Sequence, residues 1–130
     1  MKNVLITGTT SGIGKAFAEK FAGMGNDIIL VSRDRQKLEQ QQLYLQNQYH
    51  VTVNFIAYDL TKEDAADLIM EQIETWNTPI DFLVNNAGFN ECGFFSQTDI
   101  SKEIEMIDLH IRFITQLTKR ILSIMEKNNY

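Results

Sequence analysis

Four short apolar runs alternate along the chain with longer stretches in which apolar residues recur every three or four positions. The runs lie at residues 4–6, 27–32, 51–58 and 80–84. The second run is continuously apolar, as in a strand covered on both faces, and the third places β-branched and aromatic residues at alternate positions. Each run therefore predicts a β-strand, and the stretches between the runs predict helices.

The helical stretches have recognisable ends. They are predicted at residues 12–24, at 35–48, directly after a capping box at 61–64, and at 99–127. Gly25 and Asn26 are expected to end the first helix, and Asp34 to cap the second. Phe17 and Phe21, four residues apart, are expected to share a face against the sheet. The last helix carries a stripe of isoleucines at steps of three, four or seven residues.

The alternation of strands and helices indicates parallel strands joined by right-handed crossovers. We therefore expect one α/β domain over residues 1–130, a doubly wound parallel sheet in three layers, α/β/α, with strand order 3-2-1-4. Because the pattern stops after the fourth strand and its following helix, this fold is expected to be truncated, with an unpaired edge at residues 80–84. We expect a homo-oligomer formed through that edge or through the long helix.

Composition and charge narrow the possible functions. With 130 residues, 44% of them hydrophobic and 22% charged, the chain has the make-up of a soluble globular domain. The net charge of −5 argues against a nucleic-acid-binding face, and no apolar run approaches the ~20 residues of a membrane span. Two histidines and one cysteine argue against a metal site. A single cysteine, Cys92, and the absence of a signal peptide are typical of a cytoplasmic protein.

The stretch Thr7-Gly8-Thr9-Thr10-Ser11-Gly12-Ile13-Gly14 joins the first predicted strand to the first predicted helix. The first turn of a helix has backbone N–H groups without intrahelical partners, and the helix dipole makes that end positive. Glycines let the backbone approach a ligand without an intervening Cβ atom. The spacing Gly-x-x-x-Gly-x-Gly differs from the commonest dinucleotide fingerprint, but its strand-to-helix context predicts a pyrophosphate site.

Three further motifs follow in order, and they are Ser32-Arg33, Asp59-Leu60 and Asn85-Asn86-Ala87-Gly88. With the glycine stretch, they resemble the short-chain dehydrogenase/reductase family over the whole chain, including its 3-oxoacyl-acyl-carrier-protein reductase-like members. The resemblance implies a Rossmann-type fold that binds a nicotinamide dinucleotide. The cofactor-binding residues that it implies are Gly8, Thr10, Ser11, Gly12, Ile13 and Gly14 in the glycine loop, Asp59 and Leu60 at the adenine, and Asn86, Ala87 and Gly88 along the nicotinamide-side ribose.

The end of the second strand distinguishes NADP from NAD. NAD sites place a carboxylate there to bind the ribose hydroxyls, and a carboxylate would repel a 2′-phosphate. Ser32 and Arg33 instead offer a hydroxyl and a planar cation suited to phosphate, and Asp34, as a helix cap, is expected to point away. We therefore predict NADP rather than NAD, with a solvated surface arginine as the alternative interpretation of Arg33.

The family's hydride transfer between nicotinamide and a carbonyl or alcohol uses a serine, a tyrosine and a lysine placed beyond the long helix. The string from Tyr58 to Lys62 has the Tyr-x-x-x-Lys spacing, but it runs from a strand into a helix, so we interpret it as a coincidence. His110 falls at the position of the family's catalytic asparagine, and a catalytic role and a packing role are both open. Cys92 is expected to be a plain thiol, and His50 a surface residue.

The leading hypothesis is therefore the cofactor-binding portion of an NADP-dependent oxidoreductase, with a small carbonyl or alcohol as the substrate of the complete fold. One alternative is a non-catalytic nucleotide-binding or dimerisation module. Another is a methyltransferase with a similar glycine loop, which leaves residues 85–88 unexplained. Phe89, Phe94 and Phe95 suggest an apolar lip near the nicotinamide, but the sequence does not predict the substrate.

Overall fold

A four-stranded parallel sheet forms the centre of the computed structural model, which describes residues 2–10, 12–88 and 94–128. The strands are β1 (Asn3–Thr7), β2 (Asp27–Ser32), β3 (Val53–Ala57) and β4 (Phe82–Val84), in the order β3-β2-β1-β4. The predicted parallel pairing and strand order are confirmed. Strands β3 and β4 begin later than predicted because Val51 and Ile80 are buried in the core without taking part in the sheet.

Helices cover both faces of this sheet. Their bounds are α1 (Gly12–Gly23), α2 (Arg35–Tyr49), α3 (Ala65–Trp76), α4 (Ile100–Ile107) and α5 (Ile114–Lys127), with a short 3-10 turn at Phe95–Gln97. This arrangement confirms the predicted three-layer α/β/α architecture. In the described part of the chain, no helix has the length and apolar character needed to cross a bilayer.

The long helix predicted at 99–127 contains a segment of a different helix type. Between α4 and α5 the segment Asp108–Phe113 is a π-helix, in which each hydrogen bond spans one more residue than in an α-helix. The residues buried along this stretch are Leu109, Phe113, Leu117 and Ile121. The isoleucines at 100, 104, 107 and 111 are 67%, 48%, 50% and 60% exposed. The predicted helical region is therefore confirmed, but its π-helical segment was not predicted, and the isoleucines at 100, 104, 107 and 111 lie largely outside the core.

Two apolar cores lie on opposite faces of the sheet because neighbouring residues of a strand point in opposite directions. On one face, Leu5 of β1 belongs to the core formed with α3 and α5. On the other face, Val4 and Ile6 belong to the core formed with α1 and α2. All three side chains are fully buried, as expected for a central strand of a doubly covered parallel sheet.

Local side-chain bonds fix the helix ends, and one of them differs from the prediction. Asp34 caps α2 by accepting a hydrogen bond from the Lys37 N–H at 3.1 Å, and Gly25 follows α1 with φ +86°, so both predictions are confirmed. The capping box at 61–64 does not form, and α3 begins only at Ala65. The Thr61 hydroxyl instead donates to Asp59 Oδ1 at 2.7 Å, since a carboxylate two residues away is a nearer partner than the helix N-terminus.

Three phenylalanines form an aromatic row along α1 and β4. The rings of Phe17 and Phe21 are 6.4 Å apart, which confirms that they share a face. Phe21 lies 5.7 Å from Phe82 of β4, so it reaches the sheet as predicted. Phe17 is 40% exposed and Phe82 is 43% exposed, so the outer members of the row are only partly covered.

Candidate functional site

The loops that follow the carboxyl ends of all four strands meet around one cavity of about 430 Å³. Parallel strands end at the same edge of the sheet, so the residues after each strand converge there. The residues that line the cavity are Gly8, Ser32, Arg33, Tyr58, Asp59, Leu60, Thr61, Ala87, Gly88, Lys102, Glu105 and Leu109. Four motifs that are distant in sequence therefore contribute to a single site.

The glycines of the glycine loop are needed for two different reasons, which are close packing and backbone conformation. A Cβ atom on Gly14 would overlap the carbonyl oxygen of Gly8, and a Cβ atom on Gly8 would lie 2.8 Å from the Ala87 Cα. These two glycines are therefore required by close packing. Gly12 has φ +58°, and a Cβ atom added there would have no other atom within 4 Å, so its backbone faces open space at the start of α1. This open, side-chain-free helix start suits a phosphate group.

The loop after β4 is fixed to the glycine loop by Thr7 and Asn86. The Thr7 hydroxyl oxygen accepts hydrogen bonds from the N–H groups of Asn86 and Ala87, both at 3.0 Å. The Asn86 side-chain amide donates to the Gly8 carbonyl at 3.0 Å, and the Asn85 amide donates to the Thr118 hydroxyl at 3.0 Å. The amide group of Asn86 therefore holds the glycine loop. Sequence reasoning did not assign this role to Thr7.

Arg33 and Ser32 border the cavity at the end of β2. The Arg33 side chain is 73% exposed, and its Nη1 lies 4.0 Å from Asp59 Oδ2. The Ser32 hydroxyl is 3.3 Å from the Thr10 hydroxyl, which connects the glycine loop to β2. A cation and two hydroxyl groups thus lie close together at this side of the site, while Asp34 is engaged as a helix cap.

Asp59 is the carboxylate nearest to this cation. Its partial burial by itself would raise the pKa of its carboxyl group, but hydrogen bonds from the Thr61 hydroxyl and N–H, together with Arg33 and Lys62, lower that pKa below its ordinary value. The carboxylate is therefore ionised at neutral pH, and it orients the Arg33 guanidinium at the mouth of the cavity.

His110 lies in the π-helical segment and packs against the loop after β4. A Cβ atom on Gly88 would overlap the imidazole ring, so only glycine fits opposite this histidine. The structure therefore brings together Gly88, which the sequence assigned to the nicotinamide-side ribose, and His110, which it placed at the position of the family's catalytic asparagine. A role of His110 in the reaction stays a prediction.

The structure also places Tyr58, Lys62 and His50, three further described residues that the sequence singled out. Tyr58 follows β3 and Lys62 lies in the turn before α3, so the two do not share a helix, and the Tyr58 hydroxyl donates to Asp64 at 2.5 Å. This bond raises the pKa of the Tyr58 hydroxyl. His50 is an exposed residue at the end of α2, as predicted. Ser11, Phe89 and Cys92 lie outside the described residues, as does the side chain of Phe95.

Ile13 and Phe94 are the most exposed of the apolar candidates. Ile13, in the first turn of α1, is 68% exposed, and Phe94 is 77% exposed. Leu60, in contrast, is buried while still bordering the cavity. Leu60 can therefore supply an apolar wall that is already fixed by the core.

Comparison with known proteins agrees with these features. The family model for short chain dehydrogenase matches residues 2–130. The chain belongs to the short-chain dehydrogenase family. Members of this family are oxidoreductases, and the parallel sheet and its site loops correspond to the Rossmann-like fold that the sequence predicted.

Individual relatives show how much of a family member the chain represents. It is 34% identical over 123 residues to the very-long-chain 3-oxoacyl-CoA reductase of Anas platyrhynchos, covering 91% of this chain and 39% of the relative. It is 30% identical to a short-chain dehydrogenase from Sphingobium yanoikuyae in complex with NADPH, with a TM-score of 0.91, covering 98% of this chain and 50% of the other. It is 29% identical to L-sorbose reductase from Gluconobacter frateurii complexed with NADPH and L-sorbose. The TM-score is 0.90, and the match covers 98% of this chain and 48% of the other. The chain thus spans between two fifths and half of the length of these proteins.

Proposed function

We propose that this chain is the NADP-binding portion of an oxidoreductase that transfers a hydride between nicotinamide and a carbonyl or alcohol. The observation that carries the proposal is the convergence of the glycine loop, Ser32-Arg33, Asp59-Leu60 and Ala87-Gly88 on one cavity. A dinucleotide is long enough to need contacts from several strand ends, and this cavity provides them at the edge where doubly wound sheets bind ligands.

Each part of the cofactor has a candidate partner among the described residues. The backbone of Gly8, Gly12 and Gly14 at the N-terminus of α1 would hold the pyrophosphate. Asp59 and Leu60 would border the adenine, and the Asn86–Gly88 segment would border the nicotinamide-side ribose. The open space at Gly12 supports this assignment, since a phosphate group could approach the backbone there. When bound, the cofactor supplies or accepts the hydride.

A preference for NADP over NAD rests on Arg33. Its guanidinium is largely exposed beside the cavity, where it can form charge-assisted hydrogen bonds with a 2′-phosphate. The carboxylate of Asp34, the residue after it, is directed to the Lys37 N–H instead. Two similar solved structures, from Sphingobium yanoikuyae and Gluconobacter frateurii, are complexes with NADPH, which agrees with this preference.

Fluorescence titration of this chain with NADPH and with NADH tests the proposal. We expect Arg33→Ala to weaken NADPH binding by about 10- to 100-fold, the effect of losing hydrogen bonds to a charged group, and to change NADH binding little. Arg35→Ala is the matched control, because Arg35 is a similarly exposed arginine that pairs with Glu39 on α2. Failure of the wild-type chain to bind either cofactor would contradict the proposal, and equal losses for both cofactors would contradict the role of Arg33.

The second candidate function is a dimerisation module, and the exposed isoleucines at 100, 104, 107 and 111 favour it. A contiguous apolar surface of this kind is typical of interaction sites rather than of solvated helix faces. Sedimentation equilibrium of this chain over a wide concentration range tests this candidate. A monomer at every concentration would contradict self-association.

A further inference from the structure

Arg112 connects the two walls of the cavity. Its Nη2 donates a hydrogen bond to the Thr61 carbonyl at 2.8 Å, across 51 positions of sequence. The same guanidinium lies 3.8 Å from Glu63 and 3.6 Å from Asp108, and the side chain is only 31% exposed. A residue of the π-helical segment is thereby attached to the loop that follows β3.

That loop forms one wall of the cavity, and the helix that carries Arg112 contributes to the other. Residues 58–61 line the first wall, and the second wall includes Lys102, Glu105 and Leu109. Leu109 is three residues before Arg112, so the arginine and this wall residue lie on adjacent turns of one helical stretch. The bond to Thr61 therefore links the loop to this helical stretch, in addition to the packing of Leu60 and Leu109 in the same core.

Beyond the Tyr58 N–H, which donates to the Ser32 carbonyl, the other hydrogen bonds recorded for this loop among the described residues are local. Asp59 Oδ1 accepts from the Thr61 N–H and hydroxyl, and the Lys62 N–H donates to the Asp59 carbonyl. These bonds determine the shape of the turn but do not fix its position relative to the helix. The bond from Arg112 supplies that second constraint, at the carbonyl of the same residue that shapes the turn.

We propose that Arg112 is a positioning residue that holds the Asp59–Thr61 loop in place for the adenosine end of the dinucleotide, an inference that rests on the proposed NADP-binding function. Glu63 and Asp108 surround its guanidinium and balance its charge. Arg112 therefore acts on the ligand through the loop, whereas Arg33 is exposed and can contact the phosphate itself. The two arginines should affect different sets of ligands.

Calorimetric titration of this chain with 2′,5′-ADP and with 5′-AMP separates the two roles. Arg112→Met is expected to lower the affinity for both ligands by the same factor, about tenfold, because both ligands contain adenosine. Arg33→Ala is expected to weaken 2′,5′-ADP alone. Arg112→Lys should recover part of the affinity for both ligands, since an ammonium group can still donate to the Thr61 carbonyl.

Arg120→Met is the matched control. Arg120 is a second arginine of the same helical stretch that reaches a neighbouring segment, and its partner is Asp67 of α3, away from the cavity. We expect this variant to bind both ligands like the wild-type chain. If Arg112 had only a structural role, Arg112→Met would lower the thermal midpoint of unfolding. It would not cause a loss of ligand affinity that Arg112→Lys restores.

The outcomes distinguish this inference from the proposed function. If Arg112→Met binds both ligands as the wild-type chain does, or loses affinity for 2′,5′-ADP only, the positioning role is wrong while the NADP site stands. If Arg112→Met does not fold, the Arg112→Lys variant decides: an equal, partial loss of affinity for both ligands supports the role, and a loss confined to 2′,5′-ADP contradicts it. If the wild-type chain binds neither ligand, the proposed function is wrong, and this inference with it.

Discussion

Thr7 shows how one side chain can organise a site without facing the ligand. It is 1% exposed at the end of β1, and its hydroxyl oxygen accepts the N–H groups of Asn86 and Ala87. Two partly buried backbone donors thereby gain a hydrogen-bond partner. The position of the loop after β4 relative to the glycine loop depends on this single oxygen, together with the Asn86 amide on Gly8.

Replacement of Thr7 by valine tests this dependence, because valine keeps the shape and removes the acceptor. We expect Thr7→Val to lower the free energy of unfolding by about 1–3 kcal/mol, since it removes two hydrogen bonds that each contribute about 0.5–1.5 kcal/mol. Thr7→Ser retains the oxygen and should lose less than half of that amount. Urea denaturation of the three proteins measures the difference, and equal stability of the valine and serine variants would be inconsistent with the bonding described for Thr7.

At the residue scale, the sequence predicted which residues would come together at the site. It did not predict the hydrogen bonds that hold the loops of the site in position. Ser32, Arg33 and Asp59 border the cavity because they lie at or just after the ends of strands that meet at one sheet edge. The contacts of Thr7 and Arg112 join residues 79 and 51 positions apart, respectively. No local spacing encodes such pairs, so only the folded chain reveals them.

The glycine loop and the start of α1 form the element on which the proposed pyrophosphate contact depends. Gly12 and Gly25 share a positive φ, +58° and +86°, and neither has an atom within 4 Å of the place where a Cβ would lie. A side chain at either glycine therefore meets backbone strain but no steric overlap. The two positions differ in location, since Gly12 belongs to the glycine loop, in which Gly8 lines the cavity, and Gly25 follows the other end of α1.

We expect Gly12→Ala and Gly25→Ala to lower the free energy of unfolding by similar amounts, about 1–2 kcal/mol, the cost of a left-handed conformation for a residue with a Cβ. Only Gly12→Ala should also weaken NADPH binding, because its new methyl group occupies the space proposed for the pyrophosphate. Thermal unfolding and NADPH titration of both variants provide the comparison. If Gly25→Ala reduces affinity as much as Gly12→Ala does, the loss reflects stability rather than the site.

At the scale of elements, the sequence predicted which segments are helices better than how they are built. Apolar spacings of three and four residues identify the region from 99 to 127 as helical, yet they are equally compatible with a π-helical insertion at Asp108–Phe113. Likewise, residues 61–64 have the pattern of a capping box, but the nearer carboxylate of Asp59 takes the Thr61 hydroxyl. In both cases, the same local sequence is compatible with two hydrogen-bonding patterns. The sequence pattern alone does not show which of the two forms.

At the scale of the whole molecule, the described elements leave two notable apolar surfaces uncovered. One is the exposed isoleucine face of α4 and the π-helical segment, at Ile100, Ile104, Ile107 and Ile111. The other is the outer edge of β4, which lies at the end of the described sheet with Phe82 partly exposed beside Phe21. The solved relatives have about as many residues again as this chain covers, so either surface could be buried by further parts of a fold or by a second copy.

Two charge substitutions test which of these surfaces mediates the self-association proposed as the second candidate function. Ile104→Glu places a carboxylate within the isoleucine face, and Phe82→Lys places an ammonium group at the strand edge, where lysine opposes edge-to-edge pairing. We expect Ile104→Glu to shift a dimer toward monomer, with a dissociation constant at least about tenfold higher, because the isoleucine face offers four exposed side chains and β4 only a three-residue strand. Leu43→Glu is the control, since Leu43 is a 59% exposed apolar residue of α2, which packs against β2 and β3 rather than against β4. Sedimentation equilibrium measures the shift, and an effect confined to Phe82→Lys would assign the interface to the sheet edge instead.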